Sequence, residues 1–299
     1  MGTVLHNKEG YLLSNGINHW YKIEGCEHDT IPILIIHGGP GGNQYILEQT
    51  LGPRLAEQFT VIYYEQRGSG RSNSPKNPAD YSIPILVEDL DGLRKELQIE
   101  KMYLLGTSFG SWIAMEYALT YGHRVEKLIL QGPVDGNWQR LSINQIWGLY
   151  HSASEKLRKE ISKVIAGNEP IEEKKEKVWS IVDEETIAKL SIHNHSLIPE
   201  ALKIMGESSK YGFNEEFHNA ITKDTMTYPT LMDKVKRINT PTKIIVGLYD
   251  RNTGIEMSRD IVERIPNSTM AILYNSAHYP ECEELENYAK EIIDFIIYN

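Results

Sequence analysis

The stretch Gly106-Thr107-Ser108-Phe109-Gly110 constrains this chain more than any other. An apolar run, Met102 to Leu105, leads into it, and a helix-compatible run, Trp112 to Leu119, follows at once. Gly-x-Ser-x-Gly between a strand and a helix marks a sharp turn that lifts a serine to the top of a sheet. Glycines on both sides remove the Cβ atoms that would collide in that turn. Ser108 is therefore the candidate nucleophile. The pentapeptide alone arises by chance on the order of 0.1 times in such a chain, so the rest of the sequence has to carry the reading.

The segments around it alternate. Residues 9–24 read as a hairpin about Ser14-Asn15-Gly16. Apolar strands follow at 31–36, 59–64, 101–105 and 125–130, separated by helical patterns at 43–57, 82–97 and 109–121. That order implies an α/β chain with a mostly parallel central sheet and helices on both faces. From about 136 to 226 the pattern is helical, with helices expected near 139–150, 154–165, 170–182 and 185–206. A strand at 242–246, a helix at 254–265, a strand at 269–274 and a helix at 281–297 complete the chain. The expected organisation is a core over 1–135, a helical cap over 136–226, and the rest of the core over 227–299.

Composition narrows the function classes. The 299 residues carry a formal net charge of −10, and Lys174-Lys175 sits among glutamates. Nucleic-acid binding through phosphates is not expected. No apolar run approaches the length of a membrane span, and the N-terminus lacks an apolar signal core. Cys26 and Cys282 are far apart in sequence, which fits a reduced, cytoplasmic protein without a disulfide framework. His193-Asn194-His195 resembles a metal pair, but residues two apart on a helix face different sides, so no metal is expected. No cofactor motif stands out: the phosphate-loop signature is absent, and Gly-x-Gly-x-x-Gly does not occur at the first βα turn.

A serine needs a base, and the base needs an acid to orient it. Asp250 closes one core strand and His278 lies in the loop after the next, so the order Ser108, Asp250, His278 places all three at one sheet edge. Asp135 is a rival acid, and Cys282, near His278, is a rival nucleophile. Asp250 could instead cap a helix, and His278 could be a surface or capping histidine. The backbone N–H of Phe109 is one candidate oxyanion donor. The loop His37-Gly38-Gly39-Pro40-Gly41-Gly42 is the candidate source of a second. Trp138, Trp147 and Trp179 are pocket candidates, with core packing the ordinary role for at least two of them.

His37-Gly38-Gly39-Pro40-Gly41, Gln66-Arg67-Gly68-Ser69-Gly70-Arg71-Ser72 and Gly106-Thr107-Ser108-Phe109-Gly110 together resemble the prolyl iminopeptidases, over roughly 30–133 and 240–299. These are serine peptidases of the α/β-hydrolase fold that remove N-terminal residues, often proline. The resemblance implies Ser108, Asp250 and His278 as the triad, with the N–H groups of Gly39 and Phe109 as the oxyanion hole. It also implies a helical cap over the site and a small or short-peptide substrate. Within the family an acidic residue after the triad aspartate and a cap glutamate hold the substrate ammonium. Here the first position is Arg251, while Glu215 or Glu216 lies where the cap glutamate is expected. Glu65 stands where the family commonly has Asp. Arg251 favours an alternative on the same machinery: an esterase, amidase or lactonase acting on a neutral or acylated substrate. A non-hydrolytic receptor on the same fold is a further alternative.

Overall fold

The computed structural model describes residues 5–224 and 231–298. Asn15 and Gly16, both at positive φ, close a hairpin between β1 (Lys8–Ser14) and β2 (Ile17–Glu24). A two-residue turn of that kind needs residues that tolerate the left-handed region, as Asn-Gly does. The hairpin forms the antiparallel edge of an eight-stranded sheet in the order β1-β2-β4-β3-β5-β6-β7-β8. The remaining strands are β3 (Ile33–Ile36), β4 (Val61–Tyr64), β5 (Met102–Thr107), β6 (Val125–Gln131), β7 (Thr242–Gly247) and β8 (Ser268–Leu273). All neighbouring pairs from β4 to β8 are parallel. Their C-terminal ends therefore share one edge.

The central strands are buried on both faces, and their side chains divide between two cores with a period of two. Leu34, Ile36, Ile62, Tyr64 and Leu104 face one core. Ile33, Ile35, Val61, Tyr63 and Leu105 face the other. The first core packs against α3 (Ile83–Glu96), α4 (Phe109–Tyr121) and α11 (Ile255–Arg264). The second packs against α2 (Leu51–Ala56) and α13 (Leu285–Tyr298). Each fully buried Ile or Leu stabilises the fold by roughly 1.5–3 kcal/mol of transfer free energy. Helix α4 is apolar nearly all round, which suits its position: Phe109 through Met115 are all buried.

Three expected helices are each two. The 43–57 pattern is α1 (Tyr45–Gln49) and α2. Pro53 has no N–H for Gln49 and its ring would meet that carbonyl, so the helix breaks at Thr50 and restarts at Leu51. The 185–206 pattern is α8 (Glu184–Ser191) and α9 (Ile198–Ser208): Ile192 is extended at φ −126, ψ 121, and Pro199 falls in the first turn of α9, where its missing N–H has no intrahelical partner to lose. The terminal pattern is α12 (Pro280–Glu283) and α13. Glu284 leaves the helical region at φ −134, ψ 46, and its carboxylate accepts from Asn275 N (2.7 Å) and Ser276 Oγ (2.8 Å).

Between β6 and β7 the described residues form helices and no strand. These are α5 (Trp138–Ser152), α6 (Glu155–Ile165), α7 (Ile171–Ile181), α8, α9 and α10 (Glu215–Asp224). Sequence pattern did not single out α10. Helices α5 to α8 enclose a small core of their own that includes Ile146, Leu149, Ile161, Val178 and Leu190. The expected boundary at 226/227 lies outside the described residues. Among the described residues no helix is long and apolar enough to cross a membrane.

Candidate active site

Ser108 follows β5 directly and stands before the first residue of α4, at φ 50, ψ −122. A non-glycine residue held in that region stores strain, and its surroundings have to impose it. They do so by close approach. A Cβ at Gly106 would lie 2.6 Å from Gly110 O, and one at Gly110 would lie 2.2 Å from Ile36 O. The serine N–H donates to Gln131 O (2.8 Å), and Ser111 Oγ donates to Ser108 O (2.5 Å). Phe109 begins the helix, so its N–H has no intrahelical carbonyl to meet.

The loop at 37–42 lies against the serine. A Cβ on Gly38 would sit 3.0 Å from Ser108 Cβ and 3.6 Å from Ser108 Oγ. A second loop braces the first, with Gln66 Nε2 donating to His37 O (2.8 Å) and Gln66 N–H facing His37 Nε2 (3.4 Å). His37 Nδ1 lies 2.7 Å from Gly38 O and donates to it when Nε2 is the acceptor. Burial keeps His37 neutral by lowering its pKa. Glu65, fully buried, carries the second loop by pairing with Arg71 (2.7 Å), which also pairs with Glu48 (3.0 Å) and lies over the Trp20 ring.

His278 and Asp250 form a pair, and His278 lines the same cavity as Ser108. His278 Nδ1 is 2.8 Å from Asp250 Oδ2, and both side chains are buried. Asp250 also accepts from Asn252 N (2.8 Å), Thr253 N (3.0 Å) and Thr253 Oγ1 (2.9 Å), so it turns the loop as well as facing the imidazole. Burial opposes the charged form of each. The mutual attraction and hydrogen bond outweigh burial, holding the Asp250 carboxyl below its usual range and His278 above its usual 6.5. Gly132, at φ 47, packs on the pair: a Cβ there would lie 3.2 Å from both Asp250 Oδ2 and His278 Nδ1. Gln131 Nε2 donates to His278 O (3.0 Å), so the strand end that bonds Ser108 also holds His278.

Asp135 is engaged elsewhere. It accepts from Asn137 N (2.8 Å) and lies 3.4 Å from Arg140. Burial, reinforced by Glu281 and Glu283, raises the Cys282 thiol far above its usual value and disfavours the thiolate nucleophile.

Ser108 and His278 open into one cavity of about 1060 Å³. Its walls come from the sheet edge and from α5, α7, α9 and α10. Gly39 lines it, as do Trp138 and Trp179, whereas Trp147 is exposed and off the wall. Glu215 is on the wall and Glu216, its exposed neighbour, is not. Arg251 is also exposed and off the wall, and its backbone packs against α5 at Gly148. The charged wall residues are Glu172, Glu176, Glu215 and Glu281 against Lys175. Pattern reading missed Glu281, because the four-residue helix that carries it, α12, is too short to show a periodicity. It also missed Glu283, whose carboxylate accepts from Ala277 N (2.7 Å) and His193 N (2.7 Å) and so ties the histidine loop to the segment after α8.

The α/β hydrolase fold family matches residues 31–161. A proline iminopeptidase of Saccharolobus solfataricus is 28% identical over 310 residues, covering 99% of this chain and 94% of that protein. A proline iminopeptidase-related protein from Thermus thermophilus superposes with a TM-score of 0.78 at 22% identity, covering 98% of this chain and 99% of that one. A meta-cleavage product hydrolase from Pseudomonas fluorescens superposes with a TM-score of 0.72 at 22% identity, covering 96% of this chain and 97% of that one. The chain is a hydrolase of the α/β-hydrolase fold, similar to proline iminopeptidases over nearly its whole length.

Proposed function

We propose that this protein is a serine aminopeptidase that releases an N-terminal residue, proline among them, from short peptides. Ser108 Oγ attacks the acyl carbon. His278 takes its proton through Nε2, the nitrogen left over when Nδ1–H faces Asp250, and later gives it to the leaving amine. Asp250 fixes that tautomer and stabilises the imidazolium. The N–H groups of Gly39 and Phe109 receive the developing oxyanion. Water then hydrolyses the acyl-enzyme. We place this chemistry in the cytoplasm, on the same cysteine usage read from the sequence.

The observation that carries the reading is the cavity itself. Ser108 and His278 face a wall on which Glu172, Glu176, Glu215 and Glu281 outnumber Lys175, with Arg251 outside it. An excess of carboxyls favours a substrate bearing a free ammonium. A second reading, hydrolysis of a neutral ester, amide or lactone, is favoured by Trp138, Trp179, Met205 and Phe213 on the same wall. Comparing L-proline arylamide, its N-acetyl derivative and a short acyl ester separates the two. The peptidase reading expects the free-amino arylamide to be preferred by about tenfold or more in kcat/KM, and Arg251→Glu to leave that preference in place. Preference for the acetylated amide or the ester would install the second reading.

A further inference from the structure

Glu281 is a buried carboxyl that the mechanism above does not use. It is 6% exposed and lines the cavity that Ser108 and His278 open into. Its carboxyl takes a hydrogen bond from its own backbone N–H, while Oε2 has no partner among the described residues. A buried carboxylate oxygen without a donor is costly, and native structures carry few of them. Among the described residues the charged groups acting on it are His278, which favours its ionised form, and Glu283, which opposes it. Its own turn adds Tyr279, Cys282 and Glu283, and α13 adds Tyr288. Glu200 of α9 acts on the neighbouring thiol of Cys282. Burial accordingly pushes the Glu281 carboxyl up to about 7, while the nearby His278 draws it down in part.

We propose that Glu281 receives the positively charged nitrogen of the substrate, and so decides between free-amino and acylated ligands. This rests on the reading that the cavity takes N-terminal ammonium groups, and it names the group that discriminates. Glu215, although on the wall, is exposed and solvated, so its attraction for a cation is screened. Glu281 lies out of water, where the same attraction is far stronger. A primary or secondary ammonium supplies both the charge and the N–H that Oε2 lacks. A neutral amide nitrogen supplies no charge, and an acyl group on it brings apolar atoms against a carboxyl. Discrimination then comes from an attraction to one ligand and an unpaired polar group left by the other.

Calorimetric titration in a Ser108→Ala background tests this without turnover. The ligands are L-prolinamide and N-acetyl-L-prolinamide, and the second protein carries Glu281→Gln in addition. Glu281→Met, matched in length, serves where the glutamine variant does not fold, and thermal melts verify both. The expected result is a clear preference for L-prolinamide with Glu281 present, reduced about tenfold or more without it. A preference retained in the variant, equal weakening of both ligands, or no preference to begin with would overturn the assignment. The peptidase reading is scored separately, by arylamide hydrolysis in the unmodified protein. An enzyme that fails to cleave the arylamide yet loses ammonium preference with Glu281 would keep this inference and lose that reading.

Discussion

At the residue scale the account turns on a histidine pulled in two directions, by a carboxylate and by burial. Asp250 holds His278 above its usual 6.5, and burial works against that without prevailing. A general base has to be unprotonated, so activity is present above the folded pKa and lost as pH falls through it. With an ester substrate, which brings no titrating amine, the acid limb of kcat/KM is expected above 6.5. Asp250→Asn removes the stabilising charge, so the limb moves to lower pH while kcat drops by about 10⁴-fold. A limb unmoved by that substitution would show that Asp250 does not set the histidine. The places of Ser108, Asp250 and His278 at one sheet edge were each legible in the sequence, because turn glycines and strand ends marked them. Glu281 was not, since nothing in the sequence tells which way a carboxyl in a four-residue helix will face.

Elements position these residues through backbone contacts as much as through side-chain bonds. The elbow exists because β5, α4 and the loop after β3 approach to distances that exclude a methyl group. Gly110 is the tightest of these points against a neighbouring strand, 2.2 Å from Ile36 O and 2.6 Å from His37 O for an added Cβ. Backbone carbonyls cannot rotate away as a flexible side chain can. Gly110→Ala is therefore expected to cost about 3 kcal/mol, read as a lowered urea midpoint, and to separate the 37–42 loop from Ser108. An unchanged midpoint would mean that the elbow has more room than these distances allow. Strand positions were readable from apolar runs bounded by glycine and proline. Helix continuity was less so: Pro53 broke one pattern and the extended Ile192 another, although the apolar spacing ran straight through both. Helix α10 escaped notice because its short amphipathic stretch lies among polar loop residues.

Over the whole molecule the parallel sheet brings its strand ends to one edge, and the helices between β6 and β7 supply the other side of the cavity. The α/β architecture followed from the alternation of apolar runs. The cavity wall did not, because docking α5, α7, α9 and α10 over the edge depends on tertiary contacts that no local pattern encodes. Arg251 shows the consequence. Its place after Asp250 suggested a cation facing the substrate, but its backbone packs on Gly148 and its side chain is exposed away from the wall. The acidic character of the wall emerges only once those helices are in place. All of this depends on Ser108 being a live nucleophile, and intact-mass spectrometry after exposure to a fluorophosphonate reads that directly. The account predicts a single adduct, mapped to Ser108 and absent from Ser108→Ala. An unlabelled wild-type protein, or a label that persists in the variant, would contradict it.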